Sequence, residues 1–223
     1  MSVCQSKWWD DDRIRWYEKA ASKTDFHRLL AEEIESLITK EEKILELGAG
    51  LGYVSSILMD DGYSLVSSDN DENAIAIARK RSGRQKSFIA LDAETDEIPK
   101  CDALLLIYFG RIKEKDNLTR YLESAEKIIY VISEHRGQNI RRFREPEDTI
   151  AFLSLRKDIS FTYRHFSARF DQVLDSREDA EDFVRRMYRD KAERYLGFIE
   201  ERDGCFVFPN MKHSTIFMIR RKE

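Results

Sequence analysis

The chain has 223 residues, of which 42% are apolar and 36% are charged, and its net charge is −4. This composition is typical of a globular protein with one full α/β core, and the apolar runs are too short for a membrane span. The slightly negative charge offers nucleic acid no general attraction, so we expect neither a membrane nor DNA as partner.

The number and spacing of the cysteines and histidines bear on the expected compartment and on metal or disulfide sites. Cys4, Cys101 and Cys205 are odd in number and lack CxxC spacing, and the four histidines form no metal-ligand pair. The N-terminus, with Trp8 and Trp9 before three aspartates, is unlike a signal peptide. We therefore expect a cytoplasmic protein without a metal site or a disulfide framework.

Short apolar segments alternate with amphipathic ones along most of the chain. In chain order, the patterns predict helices over 9–20 and 26–38, strand 43–47, helix 53–59, strand 64–68, helix 72–81, strands 87–91 and 102–108, helix 113–126, strand 128–133, helix 148–156, strand 159–170, helices 178–189 and 191–202, and strand 214–221. Such alternation predicts a parallel, doubly wound sheet with right-handed crossovers.

The segment 44–52 is an apolar strand that ends in a glycine-rich loop. Backbone N–H groups at the start of a helix are unpaired, and without Cβ atoms at Gly48, Gly50 and Gly52 a ligand could lie directly against that backbone. The third glycine comes one position too early for a dinucleotide-binding G-x-G-x-x-G loop. At the position where that loop has its third glycine, this chain has Tyr53. A tight turn without a ligand is the alternative.

This segment resembles motif I of class I S-adenosylmethionine-dependent methyltransferases, through Glu46, Gly48, Ala49, Gly50 and Gly52. The resemblance implies a Rossmann-like, seven-stranded sheet whose last strand is antiparallel and lies between the fifth and sixth. It also implies S-adenosylmethionine as cofactor and S-adenosylhomocysteine as product. We expect a single domain over 1–223, comprising an N-terminal helical lid (1–40), a cofactor-binding core (41–171), a helical insertion (172–202) and a C-terminal strand (203–223).

Further candidate cofactor residues lie at the ends of the predicted strands. The carboxylate of Asp69, followed by Asn70, can accept hydrogen bonds from both hydroxyls of a ribose. The alternative for Asp69 is a helix cap, a role that Asn70 and Asp71 could also fill. By resemblance, Asp92 and Ala93 would bind the adenine, while the alternative is a surface turn in the acidic stretch 92–97.

The two ends of the glycine loop would serve the methionine part of the cofactor. Glu46 matches the acid of motif I, which lies near the methionine ammonium or orders the loop, and its alternative is an ordinary salt bridge. The methionine carboxylate should lie near the backbone amides of the loop, including Ala49, and near the helix start at Tyr53.

The chemistry is expected after the fourth and fifth strands. Residues 106–111 replace the Asp/Asn-Pro-Pro-Tyr/Phe signature of amide and exocyclic-amine methylases, so those acceptors are disfavoured. Tyr108 is our candidate beside the methyl group, and either Tyr108 or Phe109 should be structural because successive strand residues face opposite ways. His135 could act as a base or could be an ordinary loop histidine.

Candidate acceptor contacts come from two other segments. Arg111 and Arg136 could bind a phosphate or carboxylate of the acceptor, or could belong to a solvated basic loop. Tyr17 and His27 lie in an aromatic N-terminal segment that resembles the lids of small-molecule methyltransferases, although plain packing is the alternative.

Together these features predict a methyltransferase that acts on oxygen or nitrogen of a small molecule, as a monomer or homodimer. A protein or RNA methyltransferase is a second hypothesis, and a non-catalytic sensor or subunit that binds S-adenosylmethionine is a third. An oxidoreductase is disfavoured by the glycine spacing.

Overall fold

The computed structural model describes residues 9–114, 116–134 and 146–222. The chain divides into two compact units, and each is built from two separate stretches of sequence. The smaller unit contains the described residues of Met1–His27 together with Ser167–Lys212, and the larger unit contains those of Arg28–Phe166 together with His213–Glu223. The expectation of one methyltransferase domain over 1–223 stays a prediction.

The described residues form an alternating series of helices and strands. In chain order these are α1 (Asp11–Lys23), α2 (Phe26–Glu35), β1 (Ile44–Leu47), α3 (Tyr53–Asp60), β2 (Leu65–Asp69), α4 (Glu72–Ser82), β3 (Phe88–Ala90), β4 (Cys101–Ile107), α5 (Asn117–Ser124), β5 (Ala125–Ser133), α6 (Pro146–Ser154), β6 (Ile159–Arg169), β7 (Gln172–Leu174), α7 (Arg177–Tyr188), a 3₁₀ turn (Arg189–Lys191), α8 (Ala192–Leu196), β8 (Glu200–Arg202), β9 (Cys205–Phe208) and β10 (Met211–Arg221).

A seven-stranded sheet organises the larger unit. Its strand order is β3-β2-β1-β4-β5-β10-β6. β1, β2, β3, β4 and β5 pair in parallel, whereas β10 runs antiparallel to β5 with Ser214 opposite Ser133. The predicted fold is therefore confirmed, including the late antiparallel strand between the fifth and sixth strands.

The central strands are apolar because helices cover a parallel sheet on both faces. All four residues of β1 are buried, and Leu104, Leu105 and Leu106 of β4 are 0% exposed. Burying a leucine side chain fully contributes roughly 1.5–3 kcal/mol. These strands hold the loops at their carboxyl ends in a fixed arrangement.

The smaller unit has its own apolar core and a three-stranded antiparallel sheet with the order β7-β9-β8. Trp16 of α1 is 2% exposed, and its indole N–H donates to Asp179 Oδ1 at 2.9 Å. The guanidinium of Arg15 donates to both oxygens of the same carboxylate and lowers the pKa of Asp179 to about 2. A buried indole and a paired carboxylate thus join α1 to α7.

Three element predictions were wrong. Residues 172–202 are not wholly helical, because β7 and β8 lie at their two ends. Residues 203–223 supply β9 to the small sheet before β10 begins, and the predicted helix over 113–126 starts only at Asn117. Strands of three residues are too short to show a period, and their partners are distant in sequence. In the described residues, no helix is both long and apolar enough to span a bilayer.

Candidate cofactor site and active site

The candidate site lies at the carboxyl ends of the parallel strands, next to the point where strand order reverses between β1 and β4. Open α/β sheets bind ligands at such points. The loop after β1 turns sharply there, with positive φ angles of 71° at Gly48, 53° at Gly50 and 65° at Gly52. Non-glycine residues rarely adopt this conformation, so the backbone itself requires these glycines.

Two of the glycines serve close packing inside the protein. A Cβ on Gly48 would lie 2.2 Å from Cγ of Phe109, and one on Gly52 would lie 2.4 Å from Cε1 of Phe88. Aromatic rings therefore fill the space that a Cβ at these two positions would occupy, and the predicted contacts of Gly48 and Gly52 with the cofactor stay predictions. Phe109 is accordingly the structural member of the Tyr108–Phe109 pair.

Asp69, at the end of β2, holds the middle of the glycine loop. The N–H of Gly50 donates to its Oδ2 at 2.7 Å, and the N–H of Asp71 donates to its Oδ1 at 2.9 Å. Partial burial raises the pKa of Asp69. The two oxygens of a carboxylate together offer about four acceptor positions, so the group can accept further hydrogen bonds, as from a ribose hydroxyl.

The alternative role for Asp69, capping the next helix, belongs to Asp71. The side chain of Asp71 accepts from the N–H groups of Asn73 and Ala74 at the start of α4. Asn70 is exposed beside it. The structure therefore leaves the Asp69 carboxylate at the mouth of the loop, where the ribose assignment stays a prediction.

Glu46 lies beneath the loop and is only 3% exposed. Its Oε2 accepts hydrogen bonds from the hydroxyls of Ser55 and Ser67, the latter at 3.1 Å. Burial raises the pKa of Glu46 to about 7, although both hydroxyl groups act in the opposite direction. The salt-bridge alternative is wrong for the part of the chain described, because hydroxyl groups satisfy the carboxylate. Glu46 joins β1, β2 and α3, and its contact with a methionine ammonium stays a prediction.

The start of α3 carries two further predicted residues. Gly52 precedes the helix and Tyr53 opens it, as expected. The guanidinium of Arg81 lies 3.6 Å from the centre of the Tyr53 ring and donates to the carbonyl of Leu51 at 2.6 Å. The N–H of Ala49 is hydrogen-bonded to the carbonyl of Ser68 at 2.9 Å. Ala49 therefore connects the loop to β2 through a backbone hydrogen bond. Its predicted contact with the cofactor stays a prediction.

The segment after β3 forms a tight turn around Asp92. Its Oδ1 accepts from the N–H of Glu94 at 2.9 Å, and its own N–H donates to Asp96 Oδ2 at 2.8 Å. Ala93 is buried, and its carbonyl accepts from Arg120. Asp92 thus has the turn role that was its alternative, and adenine binding by Asp92 and Ala93 remains a prediction.

Tyr108 directly follows β4 and has a strained φ of 55°. Although 38% of the residue is exposed, its hydroxyl lies 2.8 Å from Ser214 Oγ of β10. Burial of this hydroxyl raises the pKa of Tyr108 to about 12. Tyr108 keeps its proton near neutral pH, so it can donate a hydrogen bond but is unsuited to act as a base.

The remaining predicted residues are distributed over several segments. Arg111 is exposed, and its guanidinium nitrogen Nη1 lies 3.4 Å from Oε2 of Glu114. Tyr17 and His27 belong to the smaller unit, where the hydroxyl of Tyr17 lies 2.7 Å from Nε2 of His27. His27 is 5% exposed, and whether either residue meets an acceptor is untested. His135 and Arg136 lie outside the described residues.

The structure adds two candidates that sequence reasoning missed, Glu134 and His165. Glu134 immediately follows β5, and its Oε1 lies 2.5 Å from Nδ1 of His165 in β6. His165 stands in a predicted strand without any local motif, so no sequence signal pointed to it. Glu134 lies beside the predicted His135, and only the pairing of distant strands reveals its partner.

The described residues contain two free cysteines and no cluster of metal-binding side chains. Within 9–114, 116–134 and 146–222, no group of three or more histidine, cysteine or acidic side chains could hold a metal ion. Cys101 and Cys205 are free, and burial raises the pKa of the Cys101 thiol to about 11. A thiol with so high a pKa is a poor nucleophile at neutral pH.

Comparisons with known proteins agree with this architecture. No protein-family model matches the chain, and no curated protein matches its sequence. Among solved structures, a TehB-like SAM-dependent methyltransferase from Corynebacterium glutamicum is 14% identical with a TM-score of 0.55, over 94% of this chain and 96% of the other.

Two further solved structures are similar over nearly the whole chain. A possible histamine N-methyltransferase from Thermotoga maritima is 15% identical with a TM-score of 0.53, over 95% of each chain. The YcgJ protein from Bacillus subtilis is 13% identical with a TM-score of 0.57, over 88% of this chain and 98% of the other. With the strand order and the site geometry, these likenesses establish the fold of class I SAM-dependent methyltransferases.

Proposed function

We propose that this protein is an S-adenosylmethionine-dependent methyltransferase that acts on oxygen or nitrogen of a small-molecule acceptor. The hydrogen bond from Gly50 to Asp69 carries the proposal, because it joins a glycine loop and a strand-end carboxylate beside the reversal of strand order. This hydrogen bond fixes the glycine loop and the Asp69 carboxylate relative to each other. The two together suit a nucleoside that carries both ribose hydroxyl groups and a charged amino acid.

The residues present fit this cofactor. Asp69 can accept from the ribose hydroxyls, and the backbone N–H groups near Tyr53 can bind the methionine carboxylate. Asp92 and Ala93 stand at the next strand end for the adenine. When bound, S-adenosylmethionine supplies a methyl group that is already activated on a sulfonium. The protein then has to orient the acceptor and, for a protonated acceptor, remove its proton.

The acceptor class rests on the segment after β4. Tyr108 and Phe109 occupy the place of the Asp/Asn-Pro-Pro-Tyr/Phe signature, and Phe109 packs on Gly48. A phenylalanine ring provides no hydrogen-bond acceptor for an exocyclic amine. The partly exposed Tyr108 ring favours an aromatic or apolar acceptor. A small molecule fits the slightly negative net charge better than a nucleic acid does.

A thermal-shift scan with S-adenosylmethionine, S-adenosylhomocysteine, NAD and NADP tests the cofactor. At about a hundred times the dissociation constant, binding stabilises the protein by roughly 2.7 kcal/mol, which raises Tm by roughly 5–10 °C. We expect a shift with the two sulfur nucleosides alone. A larger shift with NAD or NADP, or no shift with any of the four, would refute the proposal.

A non-catalytic sensor or subunit that binds S-adenosylmethionine is the second candidate. It is favoured by the departure of residues 106–111 from the known signature. Release of S-adenosylhomocysteine in the presence of phenols, amines, a protein extract or RNA separates the cases. Binding without any turnover would support the sensor, whereas turnover with RNA or protein would support a macromolecular methyltransferase. Sedimentation would show whether the protein is a monomer or homodimer.

A further inference from the structure

A carboxylate and a histidine from distant strands form a closely bonded pair in the larger unit. Glu134 follows β5, and its side chain is 6% exposed. Its Oε1 lies 2.5 Å from Nδ1 of His165 and accepts from the hydroxyl of Thr215 at 2.7 Å. The pair thus consists of a buried carboxylate and a histidine whose side chain is 55% exposed.

This arrangement determines which nitrogen of His165 is basic. When Glu134 is ionised, its carboxylate can only accept hydrogen bonds, and Nδ1 of His165 is then the nitrogen that carries the proton. The polar contacts of the ring to Glu134 and Thr215 both involve Nδ1. In the neutral imidazole, Nε2 then holds the lone pair and is the nitrogen that can take up a proton.

The pair lies at the same end of the sheet as Tyr108, where the parallel strands have their carboxyl ends. Glu134 follows the carboxyl end of β5, just as Tyr108 follows the carboxyl end of the neighbouring β4. Ser214 contacts the Tyr108 hydroxyl, and Thr215, the next residue of β10, contacts Glu134. Two consecutive residues of one strand therefore connect the candidate methyl-facing tyrosine to the carboxylate–histidine pair.

We infer that His165, oriented by Glu134, is the general base that removes the proton of the acceptor, and that the acceptor is a phenol-like hydroxyl. The inference rests on the proposed function. In the reaction, Nε2 of His165 takes the O–H proton while the oxygen forms a bond to the methyl carbon. The bond from that carbon to sulfur breaks, and its electron pair remains on sulfur. His165 then releases the proton to water, which leaves the methylated oxygen and neutral S-adenosylhomocysteine sulfur as products.

Phenol-like hydroxyls are the acceptors that such a base serves best. A histidine works near neutral pH, where an unassisted phenol is still almost wholly protonated, and a positioned base contributes typically 10²–10⁴-fold. Thiols ionise readily without help. Tyr108 cannot take this role because its raised pKa, about 12, keeps it protonated, but its ring can pack on an aromatic acceptor.

The first test measures where His165 lies relative to the transferred methyl group. The Cε1 proton resonance of His165, assigned by its loss in His165→Gln, is titrated by NMR with saturating S-adenosylmethionine and with saturating S-adenosylhomocysteine. The two ligands differ by one methyl group and one positive charge. A nearby unit positive charge disfavours the imidazolium, so we expect a midpoint that is lower with S-adenosylmethionine by roughly a few tenths to one pH unit.

The outcomes separate this inference from the proposed function. Binding of both ligands with the same His165 midpoint would overturn the general base. Absence of binding by either ligand would refute the proposed function, and the inference would fall with it for that different reason. The NMR measurement needs no knowledge of the acceptor.

The second test measures turnover with a panel of phenols. We expect His165→Gln to lower kcat about a hundredfold or more, and to abolish the rise of kcat with pH, while S-adenosylhomocysteine binding is unchanged. Glu134→Gln should lower kcat less, because the imidazole remains. Arg164→Gln is the matched control in β6, since Arg164 bonds to Ser36 and Glu33 instead. Equal loss in His165→Gln and Arg164→Gln would indicate a merely structural role and overturn the inference.

Discussion

The two halves of the candidate site are built in different ways. On one side, the loop after β1 is held by backbone N–H groups, and the bond from Gly50 to Asp69 spans 19 residues. On the other side, side chains meet across the sheet: Tyr108 and Ser214 are separated by 106 residues, and Glu134 and His165 by 31. We call these the loop half and the side-chain half.

The difference shows how a common fold can keep one ligand while varying another. In the loop half, main-chain conformation determines the geometry, and few side chains can change without disturbing the backbone. In the side-chain half, each contact depends on particular side chains that the sheet merely brings together. Substitutions there can alter the chemistry without altering the fold, as is general for sites on α/β sheets.

The largest effect should follow from Gly48→Ala in the loop half. The new Cβ would meet the Phe109 ring at 2.2 Å, and φ is 71°. Strain and overpacking together should cost about 2–5 kcal/mol of unfolding free energy, measured by urea denaturation. Gly83→Ala is the matched control, with φ of 69° and no atom within 4 Å of its Cβ. Equal losses at both positions would show that packing of Phe109 is unimportant.

Next in size should be the effect of Glu46→Gln on the pH dependence of stability. The pKa of Glu46 is raised from 4.5 to about 7 by burial, so the folded state binds more protons than the unfolded state between those values. Stability contributed by this proton is therefore present below about pH 4.5 and lost as pH rises to about 7.

Removing the charge should cancel that loss. Relative to the parent, Glu46→Gln should gain at most about 3 kcal/mol of unfolding free energy between pH 4.5 and pH 8, measured by denaturation at each pH. Glu97→Gln removes an exposed carboxylate and is the control. A parallel pH profile in Glu46→Gln and the parent would show that the buried carboxylate is not protonated as described.

Asp69→Asn should weaken the binding of S-adenosylhomocysteine by about tenfold to a hundredfold, measured by calorimetry. It keeps the size of the side chain but removes the charge, and a charge-assisted hydrogen bond contributes about 1.5–3 kcal/mol. Asp71→Ala, which removes the cap of α4, is the control and should lower stability more than affinity. Unchanged affinity in Asp69→Asn would contradict the ribose assignment.

The smallest effect is expected in the side-chain half, from Tyr108→Phe. Loss of its hydrogen bond to Ser214 should cost about 1 kcal/mol of stability. A double-mutant cycle with Ser214→Ala measures that bond directly. A coupling energy near zero would show that the two hydroxyl groups do not stabilise the protein through a shared hydrogen bond. Since the pKa of Tyr108 is about 12, its removal should leave the pH profile of turnover unchanged below pH 10.

Sequence reasoning succeeded best where the information is local. The alternation of strands and helices predicted the seven-stranded sheet, and the order β1 then glycine loop then α3 was confirmed. Among three possible caps for α4, only the structure identified Asp71. The three-residue strands β7 and β8 could not be predicted, because their pairing partner β9 determines them.

The sequence by itself determined the fold class and the position of the glycine loop between β1 and α3, because both follow from hydrophobic period and backbone conformation. The role of Phe109 against Gly48 and the pairing of Glu134 with His165 were decided by the tertiary structure. The physical reason is that a side chain acquires its partner from strand order and register, which bring together residues that no local pattern connects.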